Sequence, residues 1–217
     1  MFVDNFLPMT MQRLIRLGIL CVPAMDDTAI TTLLRALQET HKPTVLAMTA
    51  SALSQRNWVE ALLQRWCDVE ELDLVLTVGG TLPAPGPSAA EIVPEATRAV
   101  TERLLPGLAE AMRYHAHQES TLAWLDRGVV GIRGRSLIVN LPAGAAPALL
   151  FLEAILALLP IAIAHLHEEP TAAQLFDEVG VEDETVAEES DPGVAPSTHK
   201  GLHADEFAAF LARNKTQ

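Results

Sequence analysis

Residues 74–97, LVLTVGGTLPAPGPSAAEIVPEAT, run from a short apolar stretch through Gly-Gly-Thr and a Pro- and Ala-rich loop to Glu91, just ahead of a Pro-started helix. Leu74–Thr77 has the length and composition of a buried strand, and Pro94 followed by Glu95 suits the first turn of a helix. Gly79 and Gly80 allow a backbone to approach a ligand without side-chain obstruction. A helix starting beyond them aims its N–H groups and positive dipole end into the same crevice, an arrangement that suits a phosphate. Glu91, at the mouth of that crevice, could bind Mg2+ or cap the helix. By itself a Gly-Gly fits an ordinary turn. No Gly-Lys-Ser/Thr phosphate loop is present, and no Gly-x-Gly-x-x-Gly follows a strand.

Outward from this stretch the chain alternates. Leu17–Val22 is an apolar run stopped by Pro23, and Asp26, Asp27 and Thr28 offer N-caps to a helix with Ile30, Leu33, Leu34 and Leu37 on one face. Thr44–Met48 is a second strand. Ser54 then caps a helix whose Trp58, Val59, Leu62, Leu63 and Trp66 form one stripe, with both tryptophans expected in the core. The helix begun at Pro94 is expected to reach about Leu104, and Pro106 starts another. Thr121–Arg135 is irregular and glycine-bearing; Leu137–Leu141 is a fourth strand, followed by a long apolar helix. This alternation predicts an α/β fold with a mainly parallel sheet and helices on both faces. Ligands of such sheets sit outside the carboxyl ends of the strands.

The 217 residues suit one domain of about 150 residues with extensions. Of the net charge of −13, −9 falls in residues 168–217, and no basic cluster occurs anywhere, which argues against nucleic acid as a partner. Residues 1–12 are expected to be a flexible leader, 13–167 the domain, 168–203 an acidic disordered linker, and 204–217 a short helical tail able to meet a protein partner. Two cysteines make no disulfide framework and point to a reducing cytoplasm. Ala145–Leu166 is long enough to span a bilayer, but Glu153 and Pro160 lie inside it and no basic residue follows before Lys200. It is therefore expected to be buried in the core or against another subunit, not in a membrane. In His115/His117 and His165/His167 the two side chains would point about 200° apart on a helix, so neither pair can close on one metal ion unless its helix has ended.

LVLTVGGT followed by EIVPEAT resembles the signature of the MoaB/Mog family of molybdenum-cofactor biosynthesis, T-T-G-G-T-G and then D-V-T-P-E-A-T. PGLAEAMR (106–113), LDRGVVGIRGRSLIVNLPAG (125–144) and LEAILALLP (152–160) follow in the family's order, the second beside S-R-G-V-A-G and then R-G-K-x-L-I-V-N-L-P-G. The resemblance implies a three-layer molybdopterin-binding α/β domain, usually trimeric or hexameric. Active members of the family transfer AMP from Mg-ATP to the molybdopterin phosphate. It also implies that Gly79, Gly80 and Thr81 cradle the pterin phosphate, that Arg127, Asn140 and Pro142 to Gly144 shape the pocket, and that Glu91 is the catalytic and Mg2+-binding acid.

The departures from the family pattern gather at this crevice. Val78 and Leu82 replace a threonine and a glycine of T-T-G-G-T-G, Glu91 replaces Asp, and Ser54 or Gln55 stands where an acid is expected. PAMDDT (23–28) replaces a longer Ser-Asp-Arg and Ser-Arg-Gly segment, and Ala143–Pro147 replaces Gly-Ser-Pro. Losing one preorganised electrostatic partner can cost about 10²- to 10³-fold in rate. The pattern fits a diverged adenylyltransferase, or a catalytically degenerate member acting as an oligomeric scaffold.

Overall fold

A computed structural model of the chain describes residues 13–41, 43–85, 91–169 and 172. The leader and nearly all of the acidic and C-terminal segments named above lie outside the described residues.

Four strands form the parallel part of one sheet: β1 (Ile15–Cys21), β2 (Thr44–Ser51), β3 (Leu74–Val78) and, last in the chain, β6 (Ser136–Leu141). Two short strands, β4 (Arg103–Leu104) and β5 (Val130–Arg133), extend it antiparallel, giving the order β2-β1-β3-β6-β5-β4. The helices are α1 (Asp27–Thr40), α2 (Arg56–Asp68), α3 (Val93–Val100), α4 (Pro106–His117), α5 (Ala145–Glu153) and α6 (Leu159–Leu166).

Both faces of β1 are covered, and its side chains divide between two cores. Leu17, Ile19 and Cys21 pack with residues of α1, α4, α5 and α6. Leu20 and Val22 join Val59, Leu63 and Trp66 of α2 and Val93, Ala96 and Val100 of α3. The result is the α/β/α three-layer sandwich that strand–helix alternation implies. Gly18 has a packing reason: a Cβ there would lie 2.5 Å from Leu72 Cδ1 and 2.9 Å from Trp66 Cε3. Asp26 caps α1 by accepting from the Ala29 N–H at 2.9 Å, the ordinary capping geometry.

Four expectations need correction. Trp66 is buried but Trp58, on the same stripe, is 63% exposed, because the helix buries a narrower arc than its apolar stripe covers. Gln55 occupies the N-cap of α2, with no side-chain cap bond from Ser54. The helix begun near Pro94 stops at Val100, and Arg103–Leu104 pairs with β5. The apolar stretch is two helices bent by 57°, and Pro160 sits in the first turn of α6, where a missing N–H costs nothing. No single helix among the described residues is long and apolar enough to cross a membrane.

Candidate functional site

The carboxyl ends of β1, β3 and β6 meet at one edge. The Val22 N–H donates to the Val78 carbonyl and the Gly79 N–H to the Leu141 carbonyl, each at 2.9 Å, so the three loops leave the sheet side by side. Gly79 and Gly80 have φ of +94° and +70°. A Cβ on Gly79 would fall 2.1 Å from the Val22 carbonyl oxygen, and one on Gly80 would fall 2.6 Å from Val93 Cγ2. Both glycines are therefore demanded by the turn's own packing, whatever it binds. Gly144, also at positive φ (+93°), is the N-cap residue of α5, and a Cβ there would stand at an ordinary 3.6 Å from Pro147 Cδ. Its loop touches the turn, since Ala143 Cβ lies 3.6 Å from where a Gly79 Cβ would stand. α1, α3 and α5 thus all start at this edge, with their positive ends toward it.

Below the turn lies a buried polar network. Asn140 is 0% exposed; its amide donates to Thr77 Oγ1 at 3.0 Å and Thr97 Oγ1 at 2.8 Å, and its carbonyl accepts from the Val129 N–H at 3.2 Å. Thr81 is 1% exposed and donates its hydroxyl to Asp126 Oδ2 at 2.5 Å, while its carbonyl accepts from the Arg127 N–H at 2.9 Å. The other oxygen of Asp126 accepts from the Gly128 N–H at 2.8 Å. Asn140 and Thr81 therefore sit beneath the crevice surface and fasten its loops together. Pro142 is buried at the end of β6.

Arg127 bridges toward α3: its guanidinium donates to the Glu91 carbonyl at 3.2 Å and pairs with the Glu95 carboxylate. Glu91 is half-buried, directly ahead of α3. Beside this group a cavity of about 290 Å3 is lined by Arg98, Arg113, Asp126 and Arg127 together with apolar residues such as Leu104 and Val130.

Asp126 was not singled out from the sequence as a site residue. The signal was available, because LDRG places an acid where the family motif quoted above has Ser. Burial holds its carboxyl above the usual carboxylate range, opposed by the bonds from Thr81 and Gly128 and by the charge of Arg113. Cys21, buried at the end of β1, is pushed up by burial, and Cys67 to about 11 for the same reason; both behave as small hydrophobes. Among the described residues no group of three His, Cys, Asp or Glu side chains could hold a metal ion. His117 instead packs against the rings of Tyr114 and Trp124, with centroids 5.0 and 4.8 Å away.

A family profile described as "Probable molybdopterin binding domain" matches residues 21–161. The chain belongs to the MoaB/Mog family. The molybdopterin adenylyltransferase of Helicobacter pylori is 43% identical to this family member over 88 residues, 41% of this chain and 48% of that protein, so the chain spans about half the length of the curated relatives it matches. The molybdopterin biosynthesis enzyme MoaB of Thermus thermophilus superposes with a TM-score of 0.64 at 37% identity, covering 72% of this chain and 98% of that one. The molybdopterin biosynthesis Mog protein of Mycobacterium ulcerans gives 0.63 at 25% identity, over 72% of this chain and 99% of its own. The MoaB/Mog fold expected from the loop motifs is thus the fold observed.

Proposed function

We propose that this chain binds molybdopterin through its terminal phosphate at the Gly79–Gly80–Thr81 turn and transfers AMP to it from Mg-ATP. The observation that supports this reading most is the convergence of the β1, β3 and β6 loops and three helix N-termini on that turn. The Gly79 N–H is committed to Leu141 and the Thr81 hydroxyl to Asp126, so the phosphate falls to the N–H groups beyond Gly79 and to the positive ends of α3 and α5. Arg127 positions the lead-in to α3, and the loop from Pro142 to Gly144 forms the opposite wall. In the reaction a phosphate oxygen of molybdopterin attacks the α-phosphorus of ATP, a new P–O bond forms, and pyrophosphate leaves with the electron pair of the broken bond. Mg2+ would neutralise charge on the ATP phosphates. It commonly takes only one or two protein carboxylates, so Glu91 fits as its ligand.

A second reading is favoured by the same crevice. Ser54 and Gln55 supply no carboxylate, and a buried acid occupies the turn's hydroxyl, which suits a member that holds the fold and an oligomer without catalysis. Exposed Tyr114, Leu122, Trp124 and Leu125 support contacts between copies in a trimer or hexamer, and a cytoplasmic location accords with this pathway.

Incubation with molybdopterin and Mg-ATP, followed by mass spectrometry of the bound small molecule, separates the readings. Adenylylated molybdopterin, lost in Glu91→Ala, supports the transferase. Bound but unmodified molybdopterin supports the scaffold, and absence of any bound pterin overturns the ligand assignment.

A further inference from the structure

Thr81 and Asp126 bind each other directly beneath the Gly79–Gly80 turn, and the chemistry of the pair runs against anion binding there. An ionised carboxylate only accepts, so Thr81 must donate to it, and Thr81 Oγ1 is left with lone pairs alone. Phosphate oxygens require donors. Ionised Asp126 thus fixes the Thr81 hydroxyl inward, away from the crevice, and adds a negative charge beneath the turn, at a depth of 5% exposure where water screens poorly. Protonated, it reverses both effects, because the acid can itself donate to Thr81 Oγ1 and the charge is gone.

Arg113 offsets that charge only in part, because no cation among the described residues is bonded to the carboxylate. Arg113 of α4 donates to the Gly128 carbonyl at 3.0 Å, and Arg127 is engaged by Glu95 of α3 and by the Glu91 carbonyl. Arg98, on the α3 side of the shared cavity, is exposed. Among the described residues no cation forms an ion pair with Asp126. No histidine lines the cavity.

We propose that Asp126 sets the anion affinity of the Gly79–Gly80–Thr81 turn, so that binding of a phosphate-class ligand there is coupled to uptake of one proton by this carboxylate. Burial already biases the residue toward its acid form. The inference rests on the reading of the turn as a phosphate site, and it makes Asp126 a specificity residue acting through Thr81.

Sulfate is the suitable probe because it stays a dianion from about pH 5 to 9, whereas phosphate itself titrates in that window. The full chain is titrated with sulfate at constant ionic strength from pH 5 to 8, and the Gly80 amide resonance is followed. The wild-type Kd is expected to weaken by up to about tenfold per pH unit above the folded-state value of Asp126. Asp126→Ser is expected to bind more tightly at pH 8 and with no such slope. Asp126→Asn, nearly isosteric and able to keep the bonds to Thr81 and Gly128, should be equally flat, and its thermal melt checks that the turn is intact. A pH-independent wild type, or a slope retained in both variants, overturns the proposal while leaving the turn an anion site. No response to sulfate at any pH in any of the three proteins overturns the phosphate reading with it.

Discussion

Each edge of the sheet carries a buried aspartate, and the two are held in opposite ways. At the N-terminal edge, Asp73 is 0% exposed and surrounded by donors: Arg13 through Nε at 3.2 Å and Nη2 at 2.9 Å, and the Arg16 N–H at 2.7 Å. At the C-terminal edge, Asp126 has a hydroxyl and one N–H, with no cation paired to it. The first edge is organised by side-chain charge and joins the segment entering β1 to the start of β3. The second is organised by backbone, through glycines at positive φ and loops bonded to one another. It carries an acid to which no cation among the described residues is bonded and which burial shifts toward its neutral form. A buried acid perturbed in this way is found most often where function uses it.

The contrast breaks most visibly at Asp73. Asp73→Ala removes the acceptor for Arg13 and for a backbone N–H at once. Arg13 is 40% exposed and can turn to water, so about 2–3 kcal/mol should be lost in urea unfolding, most of it from the orphaned N–H. A loss under about 1 kcal/mol would mean that the edge does not depend on this charge. At the opposite edge, Gly79→Ala must fit a Cβ against the Val22 carbonyl and should cost about 2–3 kcal/mol, with ligand binding lost as well. Gly144→Ala shares the positive φ but meets only an ordinary van der Waals contact with Pro147, so about 1 kcal/mol is expected. Equal costs at the two glycines would show that φ alone, and not the approach of β1, shapes the turn.

Asp126 should respond with the opposite sign. A carboxyl with a raised folded-state pKa contributes stability that is complete below the unfolded value, about 3.9, and is lost as pH rises through the folded value. Asp126→Asn does not titrate, so it should exceed the wild type by about 1 kcal/mol at pH 8, with the gap closing toward pH 4. A destabilised Asn variant at pH 8 would place Asp126 with Asp73 as a structural acid.

The sequence revealed the parallel half because β1, β3 and β6 are continuous apolar runs, and the loop motifs located the crevice. The antiparallel half was hidden for a physical reason. β4 is two residues long and has no periodicity, and Gly131 of β5 reads as loop although its missing Cβ admits Thr101 Cγ2, which would otherwise lie 2.4 Å away. Gly79, Gly80 and Thr81 were legible as a turn, but composition cannot show that Thr81 points inward, because that depends on Asp126, 45 residues later. The bend in the apolar stretch was assigned no position, since Pro160 starts a helix there and the break precedes it.

The smallest effect separates proximity from bonding at the N-terminal edge. His167 Nε2 lies 2.9 Å from Asp73 Oδ1, yet it makes no hydrogen bond, so the angle between them is unfavourable. Burial first and the charge of Arg13 next hold the imidazole below its usual pKa, and the attraction of Asp73 does not overcome them. A lowered histidine contributes stability that is complete above the unfolded value of about 6.5 and is lost as pH falls through the folded value. His167→Gln, neutral throughout, should match the wild type at pH 7.5 and melt at a higher temperature at pH 5.5. The difference between the two Tm profiles isolates this residue, because every other titrating group is common to both. If the wild type instead gains stability relative to the variant on acidification, His167 is protonated against Asp73, and the N-terminal edge is held by one more cation than its bonding geometry implies.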